Sequence, residues 1–564
     1  MISVKNLSVT ISDVEALKNI DFDLKSGERI GIVGESGSGK TMLGLCLLGI
    51  SPEHAEISGE LKINQKNMTQ ASEKAWMNLR LKEIAMVFQE PMSALNPIRR
   101  IGDTLCEPIR IHLNLSKSAS KKKALSLLLE VGLPDPEVKI NQFPHQLSGG
   151  QRQRVLIALA LSCDPKVLIA DEPTSALDAN VALQITDLLV SISAKRKMAL
   201  VFISHDLNAV ARTTQHLAVM FKGEILEQGP TDRILHFPDH RYTKGLISAR
   251  PNLNPNLRDH EGKFPKLATM EDFFPGINES HVTNSSRAET YISNTKSDYL
   301  TFETDPTKPL LDVCGLSRFY KLPRLNFFAK QKYSAAITGV GFKLLQGKTL
   351  GIVGESGSGK STIARLIMGF EKPDNGKILI RGNDINKIND QRLRSLRSDF
   401  QMVFQDPFGS LDPRMKVGWS IAEPLRAQRD ESDHKMLVAE VLERVGLKYS
   451  DAERYPHQFS GGQRQRIAIA RSIVSRPSLL IADEAVSALD VSVQAQVLNL
   501  FIELQENLGL GMIFISHDLA VINSICDDVL VMKDGHMVEK GSTKNIINAP
   551  QDPYTHELLA AARA

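Results

Sequence analysis

Cysteine is scarce in this 564-residue sequence, and long apolar runs are missing altogether. The five cysteines, Cys46, Cys106, Cys163, Cys314 and Cys526, are scattered and form no Cys-x-x-Cys pair. That spacing excludes a disulfide framework and a cysteine-rich metal site, and it suits a reducing cytoplasm. No stretch approaches the roughly 18 consecutive apolar residues of a membrane span, so the chain is expected not to cross a bilayer. The opening Met1-Ile2-Ser3-Val4-Lys5-Asn6 lacks the charged-then-apolar pattern of a secretory leader. Charge of one sign is missing too: 68 Lys and Arg stand against 65 Asp and Glu, a formal net charge of +3. The near-balance excludes a strongly basic nucleic-acid coat and an acidic solvating tail, so no nucleic acid is expected as a partner. With 42% hydrophobic and 24% charged residues the composition is globular. At roughly 150 residues per domain the length allows three to four compact units.

What is present is one pattern written twice. Gly31-Ile-Val-Gly-Glu-Ser-Gly-Ser-Gly-Lys40 recurs unchanged at Gly351 to Lys360. Met86-Val-Phe-Gln89 returns as Met402-Val-Phe-Gln405, Ser148-Gly-Gly-Gln-Arg-Gln-Arg154 as Ser460 to Arg466, and Ile203-Ser-His-Asp-Leu207 as Ile515 to Leu519. Order and offset are nearly constant, so two copies of one long domain are expected. Residues 251–309 differ in character, being rich in Pro, Asn, Ser and Thr with little apolar periodicity. They read as a linker between domains at 1–250 and 310–564, or as a loosely ordered extension of the first copy.

Each copy carries a phosphate-binding pattern. Gly34-Glu35-Ser36-Gly37-Ser38-Gly39-Lys40-Thr41 and Gly354-Glu355-Ser356-Gly357-Ser358-Gly359-Lys360-Ser361 fit G-x-x-x-x-G-K-[ST]. Each follows a run suited to a buried strand and precedes a helical pattern, beginning Met42 in one copy and Thr362 in the other. Glycines let backbone N–H groups curl around phosphates, and the helix N-terminus adds positive dipole. Lys40 and Lys360 then reach the β/γ-phosphates, while Thr41 and Ser361 offer a hydroxyl to Mg²⁺. A second apolar strand ends in paired acids, Asp171-Glu172 and Asp483-Glu484. The aspartates suit Mg²⁺, and the glutamates suit orienting and deprotonating an attacking water.

Leu147-Ser148-Gly149-Gly150-Gln151 and Phe459-Ser460-Gly461-Gly462-Gln463 resemble the signature motif of ATP-binding-cassette ATPases. That family's other motifs follow in order: Gln89 and Gln405 of the Q-loop, Ser175-Ala-Leu-Asp178 and Ser487-Ala-Leu-Asp490 of the D-loop, and the switch histidines His205 and His517. The resemblance covers both halves nearly end to end. It implies an α/β fold of two tandem nucleotide-binding domains. Each would be a P-loop core with an antiparallel β subdomain and an inserted helical subdomain, about residues 96–165 and 412–477. It implies ATP and Mg²⁺ as ligands, with Thr362 beside Ser361 among the nucleotide-binding residues, Gln89 and Gln405 joining Thr41, Ser361, Asp171 and Asp483 near the metal, and His205 and His517 sensing the γ-phosphate. In the family the domains close head-to-tail. One site would then combine Lys40, Asp171 and Glu172 with Ser460 to Gln463, and the other Lys360, Asp483 and Glu484 with Ser148 to Gln151. Both halves lie on one chain, so the sandwich is expected to be intramolecular, with a homodimer through one copy as the alternative.

The two sites are not expected to be equal. The family stacks an aromatic ring on adenine, and aligning Leu7-Ser-Val-Thr-Ile11 with Leu316-Ser-Arg-Phe-Tyr320 gives Ile11 in one copy and Tyr320 in the other. Further segments are similar to the peptide/nickel importer subfamily. They are Phe88-Gln-Glu-Pro-Met-Ser-Ala-Leu-Asn-Pro97 and Phe404-Gln-Asp-Pro-Phe-Gly-Ser-Leu-Asp-Pro413, Phe143-Pro-His-Gln-Leu147 and Tyr455-Pro-His-Gln-Phe459, and the closing His240-Arg-Tyr-Thr-Lys-Gly-Leu246 and Asp552-Pro-Tyr-Thr-His-Glu-Leu558. No cysteine lies between Cys163 and Cys314, so the iron–sulfur cluster of some such cassettes is not expected. The resemblance implies a fused ATPase on the cytoplasmic face of a bacterial inner membrane. Its partners would be two transmembrane permease subunits and an extracytoplasmic substrate-binding protein, and its cargo peptides or peptide-like or metal-chelate substrates. The competing expectation is a soluble tandem cassette acting on ribosomes. Those proteins carry Asn-His where this chain has Ser175-Ala176, and a charged helical linker where this one is rich in Pro and Asn.

Overall fold

The computed structural model describes all residues except 53, 176, 252, 254–263, 274–307, 322–330, 332, 429–432, 488 and 564. Most of the expected linker, and the second residue of the Ser-Ala-Leu-Asp motif in each copy, therefore lie outside the described residues. The chain divides into two compact units, Met1–Ser248 and Ala249–Arg563.

In the first unit, β1 (Ile2–Ile11) pairs antiparallel with β2 (Val14–Leu24) and β4 (Ala55–Ile63), and the short β5 (Lys66–Asn67) closes that sheet. Ile2, Val4, Leu7 and Val9 of β1 are buried, and the odd three-residue step from Val4 to Leu7 coincides with an irregularity in the register. A bulge there keeps the apolar side chains on one face. The second sheet contains β3 (Arg29–Val33), β6 (Ile84–Val87), β7 (Val167–Asp171), β8 (Ala199–Ile203), β9 (His216–Phe221) and β10 (Glu224–Pro230). Its order is β10-β9-β3-β8-β7-β6, parallel except for the antiparallel edge strand β10. All five residues of β7 and of β8 are buried, the continuous apolar run that a strand covered on both faces requires. Ile30, Ile32, Leu43, Leu47, Ile169 and Ile203 belong to one core that also takes in Leu7, Leu17 and Leu61 of the antiparallel sheet. Between β6 and β7 the chain leaves this α/β layer for helices Ile101–Leu113, Lys117–Glu130 and Gly149–Ala160.

The second unit repeats the plan. Its antiparallel sheet is β12-β11-β14-β15, from β11 (Leu311–Lys321), β12 (Tyr333–Leu344), β14 (Asn375–Ile380) and β15 (Asn383–Asp384). Its six-stranded sheet is ordered β16-β17-β18-β13-β19-β20, where β13 is Thr349–Val353, β16 Phe400–Val403, β17 Leu479–Asp483, β18 Gly511–Ser516, β19 Asp528–Lys533 and β20 His536–Ser542. This unit also holds the described part of 251–309. Phe264 is buried in its larger core, and Leu253 and Leu267 pack against that core. Asn499, on helix Val491–Leu508, accepts from the Leu267 N–H at 2.8 Å and donates to the Leu267 carbonyl at 2.8 Å, as a neighbouring strand would. Lys266 meets Glu503 of the same helix at 2.7 Å. Among the described residues no helix is long and apolar enough to cross a membrane.

Candidate functional site

Three neighbouring parallel strands converge on one edge in each unit. The phosphate loop follows β3 or β13, the paired acids end β7 or β17, and the histidine follows β8 or β18. The carboxyl ends of parallel strands are where such sheets place their ligands.

The loop needs its glycines for space as well as for turning. Gly34 and Gly354 have φ of 155° and 152°, and a Cβ on either would lie 2.2 Å from the carbonyl oxygen of Met220 or Met532. The following helices, Lys40–Leu47 and Lys360–Ile367, begin on the lysines, so their first N–H groups open toward the loop. Lys40 is buried, and its Nζ donates to the carbonyls of Gly34 and Glu35, both at 2.8 Å. Lys360 does the same to Gly354 at 2.7 Å and Glu355 at 2.9 Å. The amine is thus folded back over its own loop, where a bound phosphate would meet it.

The acids sit opposite. Burial pushes the Asp171 carboxyl up to about 6, against a hydrogen bond with Thr41 that lowers it. Burial also raises Asp483, which accepts from the Ser361 hydroxyl at 3.2 Å. Asp171 Oδ1 is buried with no hydrogen-bond partner. An orphaned carboxylate oxygen beside a threonine hydroxyl is a hard-oxygen donor set that fits Mg²⁺. Glu172 and Glu484 adopt φ of 44° and 47°, the left-handed region that a non-glycine residue enters at a cost. Their N–H groups bond to Ile203 and Ile515, at the ends of β8 and β18, at 2.9 and 3.0 Å, which holds the turn in place. Burial raises each glutamate, but hydrogen bonding and charge from the histidine, with the lysine, outweigh it and leave both below the usual range. His205 Nδ1 lies 3.3 Å from Glu172 Oε1, and His517 Nδ1 lies 3.7 Å from Glu484 Oε2. Gln89 and Gln405 donate to Oε2 of the same glutamates at 2.8 and 2.9 Å. Lysine, hydroxyl, aspartate, glutamate, glutamine and histidine are therefore gathered in both units.

The signature residues are placed on a separate helix start. Ser148 and Gln151 form a reciprocal cap, with N–H of Gln151 to Ser148 Oγ at 3.4 Å and N–H of Ser148 to Gln151 Oε1 at 3.3 Å. Ser460 and Gln463 repeat it at 3.4 and 3.0 Å. The cap fixes the serine at the positive end of helices Gly149–Ala160 and Gly461–Ile473. The second glycine has a packing reason: a Cβ on Gly150 would lie 2.5 Å from Val181 Cγ1, and one on Gly462 2.3 Å from Val493 Cγ1.

The two positions expected to meet adenine also correspond in structure. Ile11 pairs with Val14 and Tyr320 with Ser334, at the same step of the β1/β2 and β11/β12 ladders. Ile11 is part of an apolar fringe with Met42. Tyr320 instead donates its hydroxyl to Glu371 at 2.6 Å, with the Arg318 guanidinium 5.1 Å from its ring centre and Thr362 also within hydrogen-bonding reach.

The ABC transporter family matches residues 17–175 and 337–487, and the oligopeptide/dipeptide transporter C-terminal region matches 226–276 and 538–563. The chain belongs to the ABC transporter family. It is similar to the glutathione import ATP-binding proteins GsiA of Salmonella choleraesuis (strain SC-B67), at 40% identity over 100% of this chain and 89% of that protein, and of Escherichia coli (strain K12), at 39% over the same shares. The GsiA of Pectobacterium atrosepticum is 40% identical over 100% of this chain and 89% of its own length. The chain is an ATP-binding ABC subunit with ATPase activity, and it drives import.

Two groups of ABC residues escaped sequence reasoning as parts of the site. Arg154 bonds both the Val131 carbonyl at 2.5 Å and Gln184 at 3.0 Å, and Arg466 bonds Val445 at 2.7 Å and Gln496 at 3.0 Å. Each ties the signature helix to the helix that follows the Ser-Ala-Leu-Asp motif. The signal was the last arginine of Ser-Gly-Gly-Gln-Arg-Gln-Arg, repeated in both copies. The second group is Tyr242 and Tyr554, which stand at the phosphate loops.

Proposed function

We propose that the chain carries two hydrolytic ATP sites, and that their closing and opening power uptake of peptides or of peptide-like or metal-chelate substrates. Each site takes its lysine, aspartate, glutamate, glutamine and histidine from one unit. The glutamate carries the chemistry. A water oxygen attacks the γ-phosphorus, its proton passes to Glu172 or Glu484, and the bond from that phosphorus to the β,γ-bridging oxygen breaks, leaving ADP and phosphate. The histidine contact lowers the glutamate's proton affinity and so keeps it ionised before attack. The glutamine, bonded to the same carboxylate, orients it. Thr41, Gln89 and Asp171, with Ser361, Gln405 and Asp483, are the residues that would hold Mg²⁺, which supplies charge neutralisation at the phosphates when bound.

The observation that carries this reading is the complete lysine–aspartate–glutamate–glutamine–histidine set in both units. The exposed Phe88, Met92 and Ile98 around Gln89, with Phe404, Phe408 and Trp419 around Gln405, support docking of two transmembrane permeases on these segments. An extracytoplasmic binding protein delivers the cargo, and the chain works as a peripheral subunit at the cytoplasmic face of a bacterial inner membrane. Glutathione, the cargo in the relatives' names, is a tripeptide and falls within the proposed class. Co-purification and reconstitution with a pair of transmembrane permeases test the reading. ATPase activity stimulated by peptide-loaded binding protein is expected, whereas binding to ribosomes without permease association contradicts it.

A further inference from the structure

The Tyr-Thr segment near the end of each copy does more than mark a subfamily. Tyr242 lies in helix Arg241–Ser248 and Tyr554 in helix Pro553–Arg563, both buried and both inside the matched C-terminal region. Each points its hydroxyl at the phosphate loop of its own unit. The Glu35 N–H donates to Tyr242 Oη at 3.2 Å, and the Glu355 N–H donates to Tyr554 Oη at 3.1 Å. The same two residues offer their carbonyls to Lys40 and Lys360 at 2.8 and 2.9 Å. One loop residue is therefore gripped from both sides, by the tyrosine on its N–H and by the phosphate-binding lysine on its carbonyl.

The tyrosines are themselves rigidly mounted. The Tyr242 N–H donates to His240 Nδ1 at 3.1 Å, and the Tyr554 N–H to Asp552 Oδ1 at 2.8 Å, so the first residue of each motif caps the turn. Glu227 on β10 accepts the N–H groups of Asp239 and His240 at 2.9 and 3.1 Å, and Glu539 on β20 accepts those of Gln551 and Asp552 at 2.8 and 3.1 Å. Phe221 packs on the Tyr242 ring at 4.6 Å between centres, and Lys533 Nζ lies 4.4 Å from the centre of the Tyr554 ring. A fixed path thus runs from the edge strand through the turn and the tyrosine to the loop. A loop that turns several N–H dipoles inward repels itself without its ligand, and outside anchors hold it open.

We propose that Tyr242 and Tyr554 are positioning residues for the phosphate loops. Through its hydroxyl each sets the Glu35 or Glu355 peptide, and with it the seat of Lys40 or Lys360, so the C-terminal segment of each cassette tunes that cassette's grip on ATP. The proposal rests on the reading of these lysines as phosphate-binding groups.

The test reads one site at a time in the full chain, with Lys360→Ala silencing the second site while Tyr242→Phe is examined, and Lys40→Ala silencing the first for Tyr554→Phe. The phenylalanine keeps the buried ring and removes only the hydroxyl. Loss of one neutral hydrogen bond corresponds to a rise of roughly three- to tenfold in KM for ATP and in the Kd of a fluorescent ATP analogue. kcat should stay within about twofold, because the tyrosine touches no reacting atom. Glu35→Pro deletes the donated N–H and leaves the tyrosine intact, so adding Tyr242→Phe to it should change KM no further. Unchanged KM in both phenylalanine variants, or additive effects of Glu35→Pro and Tyr242→Phe, overturns the proposal. If Lys40→Ala alone left ATP affinity at the first site intact, the phosphate-site reading itself would fall, which separates the two failures.

Discussion

The two cassettes agree where chemistry is done and differ where the nucleotide base would be held. Glu172 and Glu484 share the same strained backbone, at φ of 44° and 47°, and the same glutamine contact, at 2.8 and 2.9 Å. The adenine positions diverge. Ile11 joins Met42 on an apolar fringe, whereas Tyr320 is locked by Glu371 and Arg318 beside Thr362. A left-handed glutamate held to the neighbouring strand leaves little room for drift, because its cost is offset only while every contact is kept. A stacking residue at a strand end is under no such constraint. Divergence on this scale is expected to adjust affinity and leave the hydrolytic machinery alone.

The comparison can be broken first at the glutamates. Glu172→Gln and Glu484→Gln together should lower ATPase activity by about a hundredfold or more, the usual share of a general base. Each single variant should lose a similar amount at its own site. Single-variant activities that differ by more than about tenfold would break the chemical equivalence of the two sites. The next largest effect concerns a feature seen in the second unit, the packed segment around Phe264. Phe264→Ala should lower the stability of that unit by about 3 kcal/mol in denaturant melts, while unfolding of the first unit is unchanged. Gly150→Ala and Gly462→Ala should each cost about 2 kcal/mol by driving a methyl group into Val181 or Val493. Val181→Ala should restore most of the Gly150→Ala loss, and a failure to rescue would mean that the glycine is needed for something other than space. The smallest effect is at adenine: Tyr320→Ile should weaken ATP at the second site about fivefold, and Ile11→Tyr should tighten the first by a comparable factor.

Local, contiguous chemistry was legible in the sequence. Strand, loop and helix around Lys40 occupy adjacent residues, and their order alone dictates a strand–turn–helix with its N–H groups inward. The register match of Ile11 with Tyr320 was also readable, since β1 and β11 carry the same apolar spacing. Contacts made across the fold were not. Tyr242 is 207 residues from Glu35, and a hydroxyl-to-amide bond leaves no periodic trace. The packing of Gly150 on Val181 needs the geometry of two helices. Residues 264–267 lack apolar alternation, yet Phe264 finds a core and Leu267 finds a side-chain amide that mimics a strand partner. Composition marks such a segment as linker because its partners come from the surface it meets, not from its own pattern.

Two chemically complete ATP sites of unequal affinity are the arrangement proposed for this one chain. Calorimetric titration of ATP into the full chain carrying Glu172→Gln and Glu484→Gln measures this without turnover. Two ATP bound per chain are expected, with dissociation constants separated by roughly fivefold and brought together by Tyr320→Ile. A single ATP per chain, or two equal sites unaffected by that substitution, would contradict it.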